Sequence, residues 1–253
     1  MACDLQRANV WKRISAFLFD VILLAVACVL CGWGLSYVLN YDSYYDTLMT
    51  RYQAIADENG LDISVISQNY SDLTEEEQQL TEQVNQQLAA DEDAVRAYEM
   101  VIQLSLLIVS FGILIAYLLL EFLVPLLLKN GQTLGKKIFG VALMRSDSVQ
   151  ISPVMLFVRT VLGKYAVETM IPVMAVMMVF FGNLNLVVCC IVIALLLSQV
   201  ILFLVTKNHS LIHDLLADTI AVDMGSQRIF RTAEERVAYI AKGQAESSAN
   251  QPY

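Results

Sequence analysis

WKRISAFLFDVILLAV, residues 11–26, places one carboxylate, that of Asp20, inside a stretch that is otherwise typical of a membrane-spanning helix. An ionised Asp near the centre of a bilayer helix costs about 2.5–3.5 kcal/mol on insertion scales, so its side chain needs a partner within the protein. We therefore expect Asp20 to face other helices rather than lipid. Arg13 precedes it by nearly two helical turns, about 10 Å, which is too far for a direct ion pair unless both side chains lean toward each other.

The composition of the whole chain indicates an integral membrane protein. Its 253 residues are 57% hydrophobic and have a mean hydropathy of +0.57, more apolar than a soluble domain of this length requires. A transmembrane helix needs about 20 apolar residues. Three segments meet this need, namely Ala16 to Leu39, Val101 to Leu128 and Leu186 to Thr206.

A fourth apolar segment, Pro153 to Phe181, carries three charged residues and an internal proline, Pro172. We interpret Pro153 to about Tyr165 as an amphipathic helix at the cytoplasmic surface, which continues as a membrane helix through Phe181.

The distribution of basic residues predicts the topology. Of the 16 Lys and Arg residues, only Arg51 and Arg96 lie between the first two spans, a region that holds 14 of the 25 acidic residues. The positive-inside rule therefore predicts that both termini are cytoplasmic, which requires an even number of crossings. The sequence predicts an all-α, polytopic bundle of four transmembrane helices in the cell membrane.

The first apolar stretch, about 24 residues, is too long for a signal peptide, so we expect it to be retained.

The chain divides into four regions. They are residues 1–39, the N-terminus and first span; 40–100, an acidic extracytoplasmic helical insert; 101–223, the remaining bundle; and 224–253, a cytoplasmic tail that is partly disordered. In the tail, a Thr232-x-x-Glu235 box predicts a short helix to about Lys242.

The insert has two parts of different composition. Tyr41 to Tyr52 is aromatic and polar, as is typical of a membrane interface. From Ser71 the pattern predicts an amphipathic helix that begins with a Thr74-x-x-Glu77 capping box and leads into the second span. The insert is either a solvated cap over the bundle or a docking surface for an extracytoplasmic protein partner.

Two short cytoplasmic stretches lie beside the spans. NGQTLGKKIFGVALMRSDS, residues 130–148, combines three glycines, two lysines at the expected headgroup level and a strand-length apolar run. NHSLIHDLLADTIAVD, residues 208–223, combines a helical turn with a second such run. The two runs could pair with each other. The residues that we assign to this interfacial region are Gly131, Thr133, Gly135, Lys136, Lys137, His213 and Asp218, and we expect the lysines near Asp214 or Asp218.

These features together resemble the RDD family of membrane proteins. The family is named for an arginine and an aspartate in its first helix and a second aspartate further on, which match Arg13, Asp20 and Asp214. GQTLGKKIFGVALMR resembles the family's G-x-T-x-G-K-[RK] segment and HDLLADT its H-D-x-x-A-x-T segment, while Arg159 stands where relatives often have a basic residue. The resemblance covers most of residues 7–223 apart from the insert, which is commonly a short loop in relatives.

Glu121 in the second span is expected at a depth close to that of Asp20. The two carboxylates, with Arg159 nearby, could form a cation or proton site whose pKa values are pushed apart. Alternatively, Asp20 pairs structurally with Arg159 or Lys164, or joins a hydrogen-bond network reached through Lys136. Glu121 could likewise extend its carboxylate toward the interface or pair with Lys164.

Glu168 is a third acid, on the fourth apolar segment. Lys164 is its partner four residues earlier if that helix is continuous.

No pattern in the sequence favours catalysis, a metal or a cofactor. No phosphate-binding loop, nucleophile–His–acid set or HExxH motif is present. His209 and His213 could share one helix face, but no third ligand is in register, and the five cysteines fit membrane helices better than a metal site. We expect neither enzymatic activity nor nucleic-acid binding.

Two functional hypotheses follow. The resemblance implies transport, either cation/proton exchange or movement of another small solute, and four spans are few for an alternating-access carrier, so this hypothesis predicts a homo-oligomer. Alternatively, the chain is a non-transporting assembly or accessory protein whose intramembrane charges are structural.

Overall fold

The structure is a computed structural model that describes residues 6–64, 68, 70–128, 130–182 and 186–249. Its contacts divide the chain into two units. The first unit comprises Met1–Val29 and Ile113–Tyr253, and the second comprises Leu30–Gly112.

Four helices are long and apolar enough to cross a membrane. They are Val10–Val38, Glu92–Leu128, Pro153–Phe180 and Leu186–Val205. Few of their side chains are buried within the chain itself, which is expected of helices whose surroundings are lipid. The fold is mostly helical, and this confirms the prediction of four helices of spanning length.

Two of the four helices change their hydrogen-bond spacing along their length. The second runs as α4 (Glu92–Tyr117), a π-helical segment π1 (Leu118–Leu123) and α5 (Val124–Leu128). The third runs as α7 (Pro153–Phe157), π2 (Val158–Met170) and α8 (Ile171–Phe180). The N–H of Val124 donates to the carbonyl of Leu119, five residues back, as a π-helix requires. The third helix is continuous from Pro153 to Phe180, in agreement with the expected continuation of this helix beyond Tyr165.

The other two spans are regular α-helices. They are α1 (Val10–Val38) and α9 (Leu186–Val205).

The two strand-length runs pair, as the sequence suggested. β1 (Val141–Arg145) and β2 (Thr219–Asp223) form an antiparallel ribbon in which Leu143 lies opposite Ala221. Side chains alternate between two small apolar clusters, one on each face. The chain before α1 joins this ribbon through a bridge between Arg7 and Val222, so the ribbon fixes where α1 begins.

Three further helices complete the first unit. They are α6 (Leu134–Ile138), α10 (Ile212–Leu216) and α11 (Ala233–Ala249). α11 is longer than the helix to about Lys242 that the sequence predicts. The end of the predicted disordered tail, residues 250–253, lies outside the described residues.

The second unit contains the helices of the insert, α2 (Tyr41–Glu58) and α3 (Glu75–Ala90). Their apolar contact is small, and its buried members are Ala56, Leu61, Leu73 and Val84. The predicted capping box is present, because Thr74 accepts from the N–H of Glu77 while the Glu77 side chain accepts from the N–H of Thr74. An extended residue, Asp91, separates α3 from α4.

Candidate functional site

The first ion pair of the site joins Arg159 on π2 to Asp214 on α10. Nε and Nη2 of Arg159 donate to Oδ1 of Asp214 at 3.1 and 2.8 Å, and the hydroxyl of Thr219 donates to the same oxygen at 3.2 Å. Burial by itself raises the pKa of Asp214, but the charges of His213 and Arg159 outweigh it and hold the pKa below its ordinary value. The proposed pairing of Arg159 with Asp20 is therefore wrong, because the guanidinium is occupied by Asp214.

The second ion pair joins Lys164 on π2 to Glu121 on π1. Nζ of Lys164 donates to Oε2 of Glu121 at 2.6 Å, and the hydroxyl of Thr160 donates to the main-chain carbonyl of Glu121 at 3.0 Å. This confirms the alternative in which Glu121 pairs with Lys164. The two contacts tie the second and third spans together at the level of this carboxylate.

Asp20 is held by neutral donors from the start of α6 rather than by a base. Its carboxylate accepts from the hydroxyl of Thr133 and, at 2.8 Å, from the N–H of Gly135. Gly135 is required here, since a Cβ at this position would lie 2.9 Å from Cγ of Asp20 and even closer to the carbonyl of Ala16. Asp20 therefore joins α1 to α6 through Thr133 and Gly135, and not through Lys136 as one of the alternatives from the sequence had it.

Glu168 binds His213 rather than Lys164. Nδ1 of His213 donates to Oε2 of Glu168 at 2.7 Å, and the main-chain N–H of His213 donates to Oε1 at 3.0 Å. Burial lowers the pKa of the His213 imidazole below its ordinary value. The close approach depends on Gly163, where a Cβ would lie 2.6 Å from that of His213. The expected pair between Lys164 and Glu168 is absent because Lys164 is bound to Glu121.

Arg13 binds two carbonyl oxygens beyond the end of α9. Its guanidinium donates to the carbonyls of Asn208 and His209 at 3.1 and 2.9 Å. No acid of the described chain lies within ion-pair distance of it. At hydrogen-bond distance, the Arg13 guanidinium therefore interacts with backbone carbonyls, and Asp214 acts on it from farther away.

Lys136 and Lys137 differ although they are neighbours on α6. Lys137 is exposed, whereas Lys136 points toward the charged residues of the spans. The Lys136 ammonium forms no hydrogen bond or ion pair with any residue that the structure describes. Loss of hydration and the charges of Lys164 and Arg159 lower its pKa to about 7. The acids that act on the Lys136 ammonium are Glu121 and Asp20, and Asp214 lines the same cavity, while the headgroup level of the two lysines stays a prediction.

The remaining residues of the predicted interfacial region have structural contacts. Asp218 accepts from the hydroxyl of Ser146 at 2.8 Å. Gly131 has φ +61°, and a Cβ there would lie 2.9 Å from Ile151. His209 and His213 do not share a metal site, and the described residues include no His, Cys, Asp and Glu group able to hold a metal ion.

One cavity of about 190 Å³ brings most of the predicted charges together within the first unit. The charged and titratable residues that line it are Arg13, Asp20, Glu121, Lys136, Arg159, Lys164, His213 and Asp214. From the sequence, Lys164 is expected only as a partner for acidic residues and not as part of the site. Lys164 and Arg159 are five residues apart, and a π-helix brings such residues toward one side, but no pattern in the sequence indicates the π-helix itself.

The chain matches one protein family over most of its length. The model of the RDD family matches residues 7–218, a range that includes Arg13, Asp20, Asp214 and the other residues lining the charged cavity except Ala221. No curated protein and no solved structure matches the chain significantly. Since the matched range exceeds half of the 253 residues, this chain is a member of the RDD family of membrane proteins.

Proposed function

We propose that this membrane protein is a proton-coupled transporter of a small solute, with the charged cavity as its solute site and Lys136 as its proton carrier. The observation that carries the proposal is the position of the Lys136 ammonium. It lines the cavity without an ion-pair partner among the described residues, whereas the neighbouring bases Arg159 and Lys164 are bound to Asp214 and Glu121.

The surroundings of Lys136 support a proton-carrying role. Its pKa of about 7 lies near physiological pH, so both its charged and its neutral form are populated there. The groups that face it from the spans are Asp20 on α1, Glu121 on π1, and Arg159 and Lys164 on π2. A solute that changes the charge of the cavity would therefore change the protonation of Lys136.

Cation/proton exchange is one form that this transport could take. It requires a carboxylate oxygen that a cation can reach, and Oε1 of Glu121 accepts no hydrogen bond from the residues described. A second, very small cavity of about 10 Å³ lies between Asp20 and Glu121. That volume is close to the minimum that holds one water molecule, so any cation bound there would be nearly dehydrated.

The proposed location is the cell membrane, with both termini cytoplasmic. The excess of Lys and Arg outside residues 40–100 supports this orientation. Assembly into a homo-oligomer is also part of the proposal, because four spans provide one copy of the site and alternating access usually uses two repeats.

A non-transporting assembly role is the second candidate function. One observation favours it, namely that Asp20, Glu121 and Asp214 all have bonded partners. Buried pairs of this kind can fix one arrangement of helices without any turnover. On this hypothesis, the acidic insert would bind an extracytoplasmic protein.

Proton flux in proteoliposomes tests the two candidates. The wild-type protein would be compared with Lys136→Met, Asp20→Asn and, as a matched control, Lys137→Met, under imposed Na⁺, K⁺ and pH gradients. We expect flux in the wild type and in Lys137→Met and its loss in Lys136→Met. Flux driven by Na⁺ or K⁺ that is lost in folded Asp20→Asn would assign cation/proton exchange. No flux above protein-free liposomes under any gradient would favour the assembly role.

A further inference from the structure

The charges around the cavity do not cancel. Its lining carries four bases and three acids, with His213 as an additional titratable group. The bases are Arg13, Lys136, Arg159 and Lys164, and the acids are Asp20, Glu121 and Asp214. Glu168, which binds His213, does not line the cavity.

The pairing within the lining leaves two positive charges available. Asp214 is bound by Arg159, and Glu121 by Lys164. Asp20 is bound by a hydroxyl and a peptide N–H, both neutral. Arg13 and Lys136 therefore face the cavity without an acid at ion-pair distance in the described chain.

The charged neighbours of Lys136 affect its pKa in opposite directions. After loss of hydration, the largest influences on its pKa are Lys164 and Arg159, and the opposing effects of Glu121 and Asp20 are smaller. With four bases and three acids, the lining carries a net positive charge when Lys136 is protonated, so an anion beside the ammonium would be attracted. The same anion would raise the pKa of Lys136, because an opposite charge favours the protonated form.

The rest of the lining is apolar. Its hydrophobic side chains include Val10, Ile14, Phe17, Phe203 and Leu211. A dry apolar cavity of about 150 Å³ accepts benzene, so a volume of about 190 Å³ is sufficient for a ring or short chain that carries one charged group. Ligand sites typically combine apolar walls with a few convergent polar groups.

We infer that the cavity binds a small organic monocarboxylate, with its carboxylate at Lys136 and Arg13 and its apolar body against the hydrophobic lining. This inference rests on the proposed function, since it names the class of solute. Because a bound carboxylate favours the protonated form of Lys136, the acid and one proton bind together. An inorganic anion would satisfy the charge but would leave the apolar lining without a partner.

Ligand binding to the purified full chain in nanodiscs tests this inference. The probes are benzoate, benzyl alcohol as a neutral compound of similar size, and inorganic phosphate, each measured by calorimetry at pH 6 and pH 8. We expect benzoate to bind in preference to the other two, and more tightly at pH 6, where Lys136 is protonated. Lys136→Met should weaken benzoate binding about tenfold or more, as is typical of a lost charged hydrogen bond.

Two further variants make the result specific. Lys137→Met should bind benzoate as the wild type does, because its side chain lies outside the cavity lining. Lys136→Arg keeps the charge but does not titrate near neutral pH, so it should retain binding while losing the difference between pH 6 and pH 8. This variant also provides a test if Lys136→Met does not fold.

The inference is overturned if benzyl alcohol or phosphate binds as tightly as benzoate, or if no benzoate binding is measurable. Unchanged benzoate binding in a folded Lys136→Met protein would overturn it equally. The outcome is separate from that of the flux experiment. Benzoate binding without proton flux under the Na⁺, K⁺ and pH gradients would retain the site and reject cation/proton exchange, whereas flux without benzoate binding would retain transport and reject this class of solute.

Discussion

The charged cavity and the acidic insert use the same kinds of side chains in opposite ways. In the cavity, the side chains of Arg159 and Asp214 are each only 4% exposed. In the insert unit, Arg51 and Asp93 also form a short ion pair, 2.6 Å, but their side chains are 46% and 57% exposed. Water screens the Arg51–Asp93 pair but not the Arg159–Asp214 pair. Breaking these two pairs of similar length should therefore change the free energy of unfolding by very different amounts.

The difference teaches which charges determine the arrangement of the spans. A buried base that loses its acid is left without either water or a counter-ion, so the cavity pairs restrict how the helices can pack. The insert has 14 acids but only a small apolar contact between its helices, so its charges mainly keep it hydrated. We expect substitutions in the two regions to differ accordingly.

The largest effect is expected from breaking the buried pair. Arg159→Met should lower the free energy of unfolding by about 3–5 kcal/mol, because Asp214 would be left buried and charged. Thermal unfolding in detergent, followed by size-exclusion fluorescence, measures this effect. The control is Arg51→Met, for which about 0.2–1 kcal/mol is expected. Equal losses in the two variants would contradict the comparison.

The next effect is expected at Gly135. An Ala Cβ there would press against Asp20 and the carbonyl of Ala16, and overpacking of this kind costs about 1–3 kcal/mol. Gly34 lies in the first span, and a Cβ there would meet no atom within 4 Å, so Gly34→Ala should be neutral or stabilising. The test compares the melting temperatures of the Gly135→Ala and Gly34→Ala proteins. An unchanged melting temperature in Gly135→Ala would show that α6 can move away from α1.

A pH-dependent effect is expected at Lys136. Its pKa is lowered on folding to about 7, so the unfolded chain binds more protons above that pH and stability rises with pH until the ordinary lysine value is reached. The contribution between pH 7 and pH 9 should be on the order of 1–2 kcal/mol. Lys136→Met should lack this part of the pH dependence and Lys137→Met should keep it. Identical pH profiles of the melting temperature in wild type and Lys136→Met would contradict the assignment.

The smallest effect is expected at the capping box of the insert. Thr74→Ala removes a side-chain acceptor at the start of α3 and should cost about 1 kcal/mol. Hydrogen exchange of the α3 amides is the appropriate measurement, because the change is local. Faster exchange in α3 with unchanged protection of π2 is expected, while loss of protection in both would show that the insert stabilises the bundle.

The sequence was sufficient for features that depend on local patterns. The four apolar helices, the Thr74 capping box and the pairing of β1 with β2 follow from hydropathy, side-chain spacing and turn residues. The pair between Glu121 and Lys164 is one of three alternatives that the sequence leaves open. Intramembrane charges require partners, so the need for a partner could be predicted before the partner itself.

The sequence was not sufficient for features that depend on a change of helical spacing or on the backbone. An α-helix places Lys164 beside Glu168, four residues later, but both residues lie in π2, where hydrogen bonds reach five residues back. The partner of Asp20 was missed because charge patterns identify bases, whereas the N–H of Gly135 and the hydroxyl of Thr133 are neutral. The orientation of Lys136 depends on how α6 is attached to α1, which no local pattern encodes.

The ribbon of β1 and β2 also has a consequence for biosynthesis. Arg145 pairs with Thr219, 74 positions later, and two spans lie between them. Because chains emerge from their N-terminus and distant contacts wait for the later segment, the first two spans must be inserted long before β2 exists. Arg159 is likewise made before its counter-ion, Asp214. During translation, Arg159 is therefore without its counter-ion until Asp214, 55 residues later, has been synthesised. In that interval the unpaired guanidinium would be exposed to quality-control proteases and chaperones.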